Sequence, residues 1–202
     1  LWVNTPDDKA NIDALSTSQS LKEQYWKRTH GTVRTVLEKC MHELERYGLE
    51  PEMAHKEVGG VASKVGSTGR LQHVMEQLEI DWKYAEALQA ADNEIIAREI
   101  VEDMFRNHGL EATFMAKPLE GVAGNGEHTH LGAAVRLKSG KYINLFTPAD
   151  MNKDFLSEIG YGALMGILRN YDVVNPFVSS TNDSMNRLKP GFEAPVCVVT
   201  SL

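Results

Sequence analysis

The stretch LEIDWKY, residues 78–84, alternates apolar and charged side chains along its length. The two sets fall on opposite faces of an extended chain: Leu78, Ile80 and Trp82 against Glu79, Asp81 and Lys83. This period of two predicts a β-strand. Apolar residues then recur at helical spacing over residues 85–107, and Gly109 is placed to end that helix. A half-buried strand therefore leads directly into a long helix.

The rest of the chain predicts further elements of the same two kinds. Ser20 and Glu23 form a capping box that begins a helix over residues 20–47, with Gly31 as a bend inside it and Gly48 as its end. The other predicted elements are a strand at 53–58, a loop at 59–69, a strand at 111–118, a hairpin at 128–146, a helix at 154–171, and a final loop followed by a strand. Strands grouped between long helices predict an α+β fold.

Composition limits the classes of partner. The 202 residues are 42% hydrophobic and 24% charged, which is ordinary for a soluble globular protein. The net charge of −7 argues against nucleic acid as a partner, and no apolar run is long enough to predict a membrane helix. The N-terminus lacks a signal-peptide layout, and residues 1–19 are interpreted as a loop or cut edge. Cys40 and Cys197 have no metal-ligand spacing and suit a reducing cytoplasm.

The glycine-rich stretch GVAGNGEHTHLG, residues 121–132, does not match a nucleotide-binding motif. A Rossmann turn would lead into a helix, and a Walker loop would end in Gly-Lys-Ser/Thr, whereas this stretch leads into an alternating segment. If that segment is a strand, His128 and His130 lie on one face and could both reach a metal ion. The alternative interpretation is a flexible turn before a hairpin, with two structural or surface histidines.

Carboxylates and an arginine elsewhere in the chain could complete such a site. Glu57 and Glu79 are predicted on strands, and carboxylate oxygens suit magnesium or manganese. In NRLKPGFEAPV, Arg187 is of the type that binds carboxylate or phosphate, and the Pro-Gly turn before Glu193 could form a flap. Taken singly, each is equally consistent with an outward-facing charge on a solvated surface.

Taken together, residues 20–200 resemble the catalytic domain of the glutamine synthetase family. EATFMAKP resembles the family's Thr-Phe-Met-Pro-Lys-Pro strand, GNGEHTH its Gly-Ser-Gly-x-His-x-His turn, and RLKPGFEAPV its Arg-Leu-x-Pro-Gly-x-Glu-Ala-Pro segment. AHKEV and EQLEIDWKY are similar to two further motifs of that family. The resemblance implies a curved antiparallel sheet packed with long helices. Residues 20–202 would then be part of one catalytic domain.

The resemblance also implies a reaction and roles for particular residues. The reaction is ATP-dependent amide formation from glutamate and ammonia through a γ-glutamyl phosphate, with Mg²⁺ or Mn²⁺, in a ring of identical subunits. The implied metal ligands are Glu57, Glu79 and His128, and the implied nucleotide contacts are Glu52, Tyr84 and His130. The implied substrate contacts are Gly124 and Arg187. Glu193 would lie on a flap that excludes water, and it would help to deprotonate ammonium.

The sequence departs from the family pattern in ways that leave alternatives open. Residues 58–78 separate Glu57 from Glu79, a far longer spacer than the family usually has, so residues 59–76 are predicted to be an inserted mobile loop. Ala123 stands where asparagine is usual, and Gly132 where serine is usual. The resemblance also places other parts of the site before Leu1 and beyond Leu202, so the chain is expected to be inactive alone. The alternatives are a γ-glutamyl ligase for a larger amine, a non-catalytic relative that binds nucleotide or metal, and a small metal-dependent hydrolase.

Overall fold

The computed structural model describes residues 1–4, 16–18, 29, 31–63 and 72–188, which form two compact units. The first unit comprises residues 1–126 and 185–202, and the second comprises residues 127–184. In chain order the elements are β1 (Trp2–Asn4), β2 (Ser16–Ser18), α1 (Gly31–Arg46), β3 (Pro51–Ser63), β4 (Gln72–Trp82), α2 (Ala87–Arg106), β5 (Glu111–Thr113), β6 (Ala134–Arg136), β7 (Tyr142–Asn144), α3 (Glu158–Arg169), α4 (Tyr171–Val178) and α5 (Asn182–Arg187).

The first unit contains a five-stranded sheet in the order β2-β3-β4-β1-β5. Every neighbouring pair is antiparallel. The short strand β1 pairs Trp2 with Gln77 on one side and with Thr113 on the other. The α+β class and the antiparallel sheet predicted from the sequence are confirmed.

Strands β3 and β4 are longer than predicted and form the centre of the sheet. Their pairing continues from Gly60 opposite Glu76 to Ser63 opposite Gln72. The prediction of a loop is therefore wrong for residues 59–63 and 72–76, whereas residues 64–71 lie outside the described part of the chain. The register shifts between Lys56 and Gly60, which marks a β-bulge. Glycines at a bulge resemble a loop in sequence, and this explains the error.

Helices α1 and α2 cover one side of this sheet with apolar residues. The main core joins residues of both helices to strand residues: Val3, Val33, Val36, Leu37, Cys40, Leu78, Val101, Phe105 and Leu110. Gly48 and Gly109 end the two helices with φ of 79° and 73°, as predicted from a residue without a Cβ. Gly31 is the first residue of α1 and has a φ of 63°, and the part of the predicted helix at residues 20–28 lies outside the described ranges.

The second unit contains the predicted hairpin, in shorter form, and two complete helices. β6 and β7 pair from Ala134 opposite Asn144 to Arg136 opposite Tyr142. Ser157 caps α3, because its hydroxyl oxygen accepts a hydrogen bond of 3.1 Å from the Gly160 amide. The predicted helix at 154–171 thus begins later. The tail predicted as a loop from residue 175 contains the end of α4 and all of α5, and the strand predicted after it falls at residues 189–202, outside the described ranges.

No helix within the described residues is long and apolar enough to cross a membrane.

Candidate active site

One face of the β3–β4 pair carries a histidine surrounded by three carboxylates. His55 and Glu79 are direct cross-strand partners, and the alternation of each strand adds Glu57 and Asp81 to the same face. The Nδ1 atom of His55 lies 3.6 Å from an oxygen of Glu57. Its Nε2 atom lies 3.5 Å from an oxygen of Glu79 and 3.9 Å from one of Asp81. The predicted pair Glu57 and Glu79 therefore converges on one imidazole.

The charges of this cluster perturb one another. The hydrogen bond with Glu79 is the main reason that the pKa of His55 rises from 6.5 to about 9, against the opposing effect of burial. Partial burial, followed by the charge of Glu79, raises the pKa of Asp81 above its ordinary value. One ligand atom from each of His55, Glu79 and Asp81 lies within 4.8 Å of the others. Imidazole nitrogen and carboxylate oxygen together fit a divalent cation such as Mn²⁺ or Mg²⁺.

His55 and Asp81 are members of this cluster that were not predicted from the sequence. Each lies two residues from a predicted ligand, so the strand period alone would have placed it on the same face. The cross-strand pairing of His55 with Glu79 was not visible in the sequence, because residues 58–78 between Glu57 and Glu79 concealed the hairpin.

The opposite face of the same strands buries a second charged pair that the sequence did not predict. Lys56 is 3% exposed and Glu76 is 9% exposed, close to the bulge. Burial raises the pKa of Glu76 from 4.5 to about 7, and the positive charge of Lys56 opposes that rise. The strand segment that carries Glu57 therefore has buried ionisable groups on its opposite face.

The glycine-rich loop of the first unit lies against Arg187. A Cβ built on Gly124 would lie 2.8 Å from Arg187 Cγ, and one on Gly126 would collide with the guanidinium group. Both glycines are therefore needed for this close approach. Among the described residues, Arg187 Nε is buried without a hydrogen-bond acceptor, which suits a site for an anionic group. The structure brings together the predicted substrate residues Gly124 and Arg187.

The loop backbone is held by hydrogen bonds to the sheet and its neighbours. Asn125 donates from its side chain to the carbonyls of Thr113 and Met115, at 3.1 and 2.7 Å, and from its backbone to Ala116 at 2.9 Å. The bond to Ala116 explains why β5 ends at Thr113 and the predicted strand to residue 118 does not form. Ala123 is buried, and its carbonyl accepts a 3.1 Å hydrogen bond from the indole of Trp2.

The other predicted site residues are exposed or lie outside the described ranges. Glu52 is exposed on β3, and Tyr84, just after β4, is 97% exposed. His128 and His130 belong to the second unit and are exposed in irregular backbone before β6 begins at Ala134. Within the described residues, no strand aligns the two histidines on one face, so that prediction is wrong. Glu193 is not among the described residues.

Comparison with known proteins agrees with these features. The family model described as "Glutamine synthetase, catalytic domain" matches residues 4–202. Glutamine synthetase of Pyrococcus woesei is 36% identical over 165 residues, which are 82% of this chain and 32% of that protein.

Two solved structures show the same fold. Plasmodium falciparum glutamine synthetase has a TM-score of 0.64 and 27% identity over 82% of this chain and 29% of its own. A GmaS/ADP complex has a TM-score of 0.63 and 25% identity over 98% of this chain and 40% of its own. The chain spans about a third of the length of the curated relative described above. The match over nearly all of its length, on this fold and with these motifs, shows that the chain belongs to the glutamine synthetase family.

Proposed function

We propose that the full-length protein is an ATP-dependent carboxylate–amine ligase that joins glutamate and ammonia to form glutamine. The observation that carries the proposal is the convergence of Glu57 and Glu79 on the two nitrogens of His55, at 3.6 and 3.5 Å. Two strand-borne carboxylates on one face supply hard oxygen ligands, which a nucleotide-dependent ligase needs for its divalent cations.

The proposed cofactors are ATP and Mg²⁺ or Mn²⁺. Glu57 and Glu79 would hold one cation, and His128 would contribute to a second. A bound divalent cation neutralises charge on the phosphoryl group during transfer. Glu52, Tyr84 and His130 are proposed nucleotide contacts, and the exposed ring of Tyr84 is available for stacking on a base. The ADP in the related GmaS structure supports an adenine nucleotide as the ligand.

The amino-acid substrate is proposed to bind at the glycine-rich loop. Arg187 would bind a substrate carboxylate, because its guanidinium group is a bidentate donor held close to the Gly124 backbone. Glu193 is proposed to act on a flap over the intermediate, where it excludes water and accepts a proton from ammonium.

The proposed chemistry has two steps. A γ-carboxylate oxygen of glutamate attacks the γ-phosphorus of ATP, and the bond to the bridging oxygen breaks to release ADP. Ammonia then attacks the acyl carbon, the bond to the phosphate oxygen breaks, and the nitrogen loses a proton to give the amide. Both steps depend on orientation and on stabilisation of phosphate charge.

We further propose a homo-oligomeric ring and a cytoplasmic location, with small molecules rather than nucleic acid as partners. The net charge of −7 supports the last of these. The buried thiol of Cys40, whose pKa burial raises to about 12, is consistent with a reducing compartment.

A larger amine in place of ammonia is the second candidate. The observation that favours it is Ala123, which contributes only a buried methyl group where the family resemblance expects an asparagine side chain. A non-catalytic relative and a metal-dependent hydrolase remain as outcomes of the test.

The test is ADP release by the complete protein with ATP, glutamate, Mg²⁺ and a panel of ammonia and alkylamines. We expect amine-dependent ADP release that falls at least about 100-fold in Glu57→Gln and Glu79→Gln, because each loses a charged cation ligand. Glu99→Gln, an exposed change on α2, is the matched control and should keep wild-type turnover. Absence of ADP with every amine would refute the ligase, and turnover with an alkylamine alone would identify the second candidate.

A further inference from the structure

Gln77 of β4 is a buried amide whose two ends bind two different segments of the first unit. Its side chain is on the strand between Glu76 and Leu78, and the residue is 4% exposed. Its Oε1 atom accepts a 3.1 Å hydrogen bond from the backbone amide of Gly59. Its Nε2 atom donates a 2.7 Å hydrogen bond to the carbonyl of Gly124.

The first of these bonds holds the β-bulge that contains Glu57. The register of β3 against β4 shifts between Lys56 and Gly60, so Gly59 lies in the segment where the regular ladder is interrupted. Gln77 supplies an acceptor to the Gly59 amide in place of a ladder partner. A Cβ on Gly59 would lie only 2.6 Å from Gln77 Oε1, so the contact requires glycine.

The second bond holds the glycine-rich loop. The carbonyl of Gly124 accepts from Gln77, and the preceding carbonyl, of Ala123, accepts from the indole of Trp2 at 3.1 Å. Two successive carbonyl groups of the loop are thus bound to side chains of the sheet. Gly124 is also the residue against which Arg187 packs.

We infer that Gln77 is a positioning residue that couples the cation-binding carboxylates to the amino-acid subsite, by tying the Glu57 bulge and the Gly124 loop to the strand that carries Glu79. This inference rests on the proposed function for the identity of the two subsites. Glutamine suits this position because its side-chain oxygen can accept a hydrogen bond from the Gly59 amide while its side-chain nitrogen donates one to the Gly124 carbonyl. A carboxylate of the same shape would keep the acceptor and lose the donor.

Hydrogen exchange on the complete protein, without ligands, tests the tie independently of activity. In Gln77→Glu at neutral pH, the amides of residues 121–126 should exchange roughly tenfold faster, because the buried Gly124 carbonyl loses its donor. Gln77→Met removes both bonds and should also show faster exchange of the amides of residues 121–126. Asn107→Asp, an exposed amide just after the end of α2, is the matched control.

Kinetics of the same proteins test the coupling. Gln77→Glu should raise KM for glutamate roughly tenfold at neutral pH while KM for ATP changes less than about twofold, because the loop is adjacent to the amino-acid subsite. If wild-type protein is active and Gln77→Glu matches Asn107→Asp in loop exchange and KM, the inference is overturned. If wild-type protein releases no ADP, the proposed function fails, and loop exchange still decides whether Gln77 holds the loop.

Discussion

Replacing Glu76 with glutamine should flatten the pH dependence of stability between about pH 4.5 and pH 7. Glu76 is 9% exposed, and burial raises its pKa from 4.5 to about 7 against the opposing charge of Lys56. Because the folded-state pKa lies above the unfolded value, the native protein binds this proton more tightly. The associated stability is fully present below pH 4.5 and is lost as the pH rises through about 7. At about 1.4 kcal/mol per pH unit, the loss amounts to about 3 kcal/mol.

Urea unfolding of residues 1–202 at pH 4.5, 6, 7 and 8 measures this loss. The free energy of unfolding of Glu76→Gln, minus that of wild type, should increase by about 3 kcal/mol from pH 4.5 to pH 8. The raised pKa of His55 makes the free energy of unfolding depend on pH between pH 6.5 and about 9 in both proteins. This contribution cancels when the wild-type value is subtracted from that of the variant. Glu99→Gln, an exposed change on α2, should show no such trend.

A second variant tests the counter-charge. In Lys56→Met the transition in the pH profile should move above pH 7, because the group that lowers the Glu76 pKa is gone. A Glu76→Gln protein whose pH profile runs parallel to that of wild type would refute the assignment of the raised pKa to this carboxyl.

Two further substitutions test the packing of each unit. Gly59→Ala should destabilise the first unit by about 1–3 kcal/mol, because the added Cβ would lie 2.6 Å from the Trp2 ring. Urea unfolding followed by tryptophan fluorescence measures this loss. An unchanged free energy of unfolding would contradict the close packing of Gly59 against Trp2. Gly162→Ala, a helical glycine with no neighbour within 4 Å of its added Cβ, is the control and should stabilise by about 0.5–1 kcal/mol. Ser157→Ala should destabilise the second unit by about 1 kcal/mol, because the N-cap of α3 is lost. The measurement is hydrogen exchange of the Gly160 amide, which should become faster. Unchanged exchange at this amide would show that the cap does not contribute to stability.

Periodicity in the sequence was sufficient to predict the elements of the first unit that bury one regular face. The buried residues Val33, Val36 and Leu37 follow the predicted stripe of α1, and Leu78 lies on the buried face of β4 with Glu79 on the other. The helical face of α2 was predicted less well. Leu88, one of the apolar residues at helical spacing within 85–107, is 79% exposed, which shows that helical spacing alone does not determine how far a buried stripe extends.

The geometry of the candidate site required the three-dimensional pairing of strands. The bulge at Glu57 has no periodic signature, and the glycines around it have the composition of a loop. The resemblance to family motifs predicted Glu57, Glu79, Gly124 and Arg187 as site residues. The cross-strand register that brings His55 between the carboxylates is a long-range feature that local patterns do not contain.

The proposed γ-glutamyl phosphate intermediate can be tested by following the oxygen atoms of glutamate. The complete protein is incubated with ATP, Mg²⁺, an amine and glutamate carrying ¹⁸O in both oxygens of its γ-carboxylate, and the released phosphate is analysed by mass spectrometry. An acyl phosphate intermediate transfers one labelled oxygen to each phosphate, because the bond broken by the amine joins the acyl carbon to that oxygen. We expect one ¹⁸O per phosphate released, in step with ADP and amide. Release of unlabelled phosphate, or of none, would contradict the account.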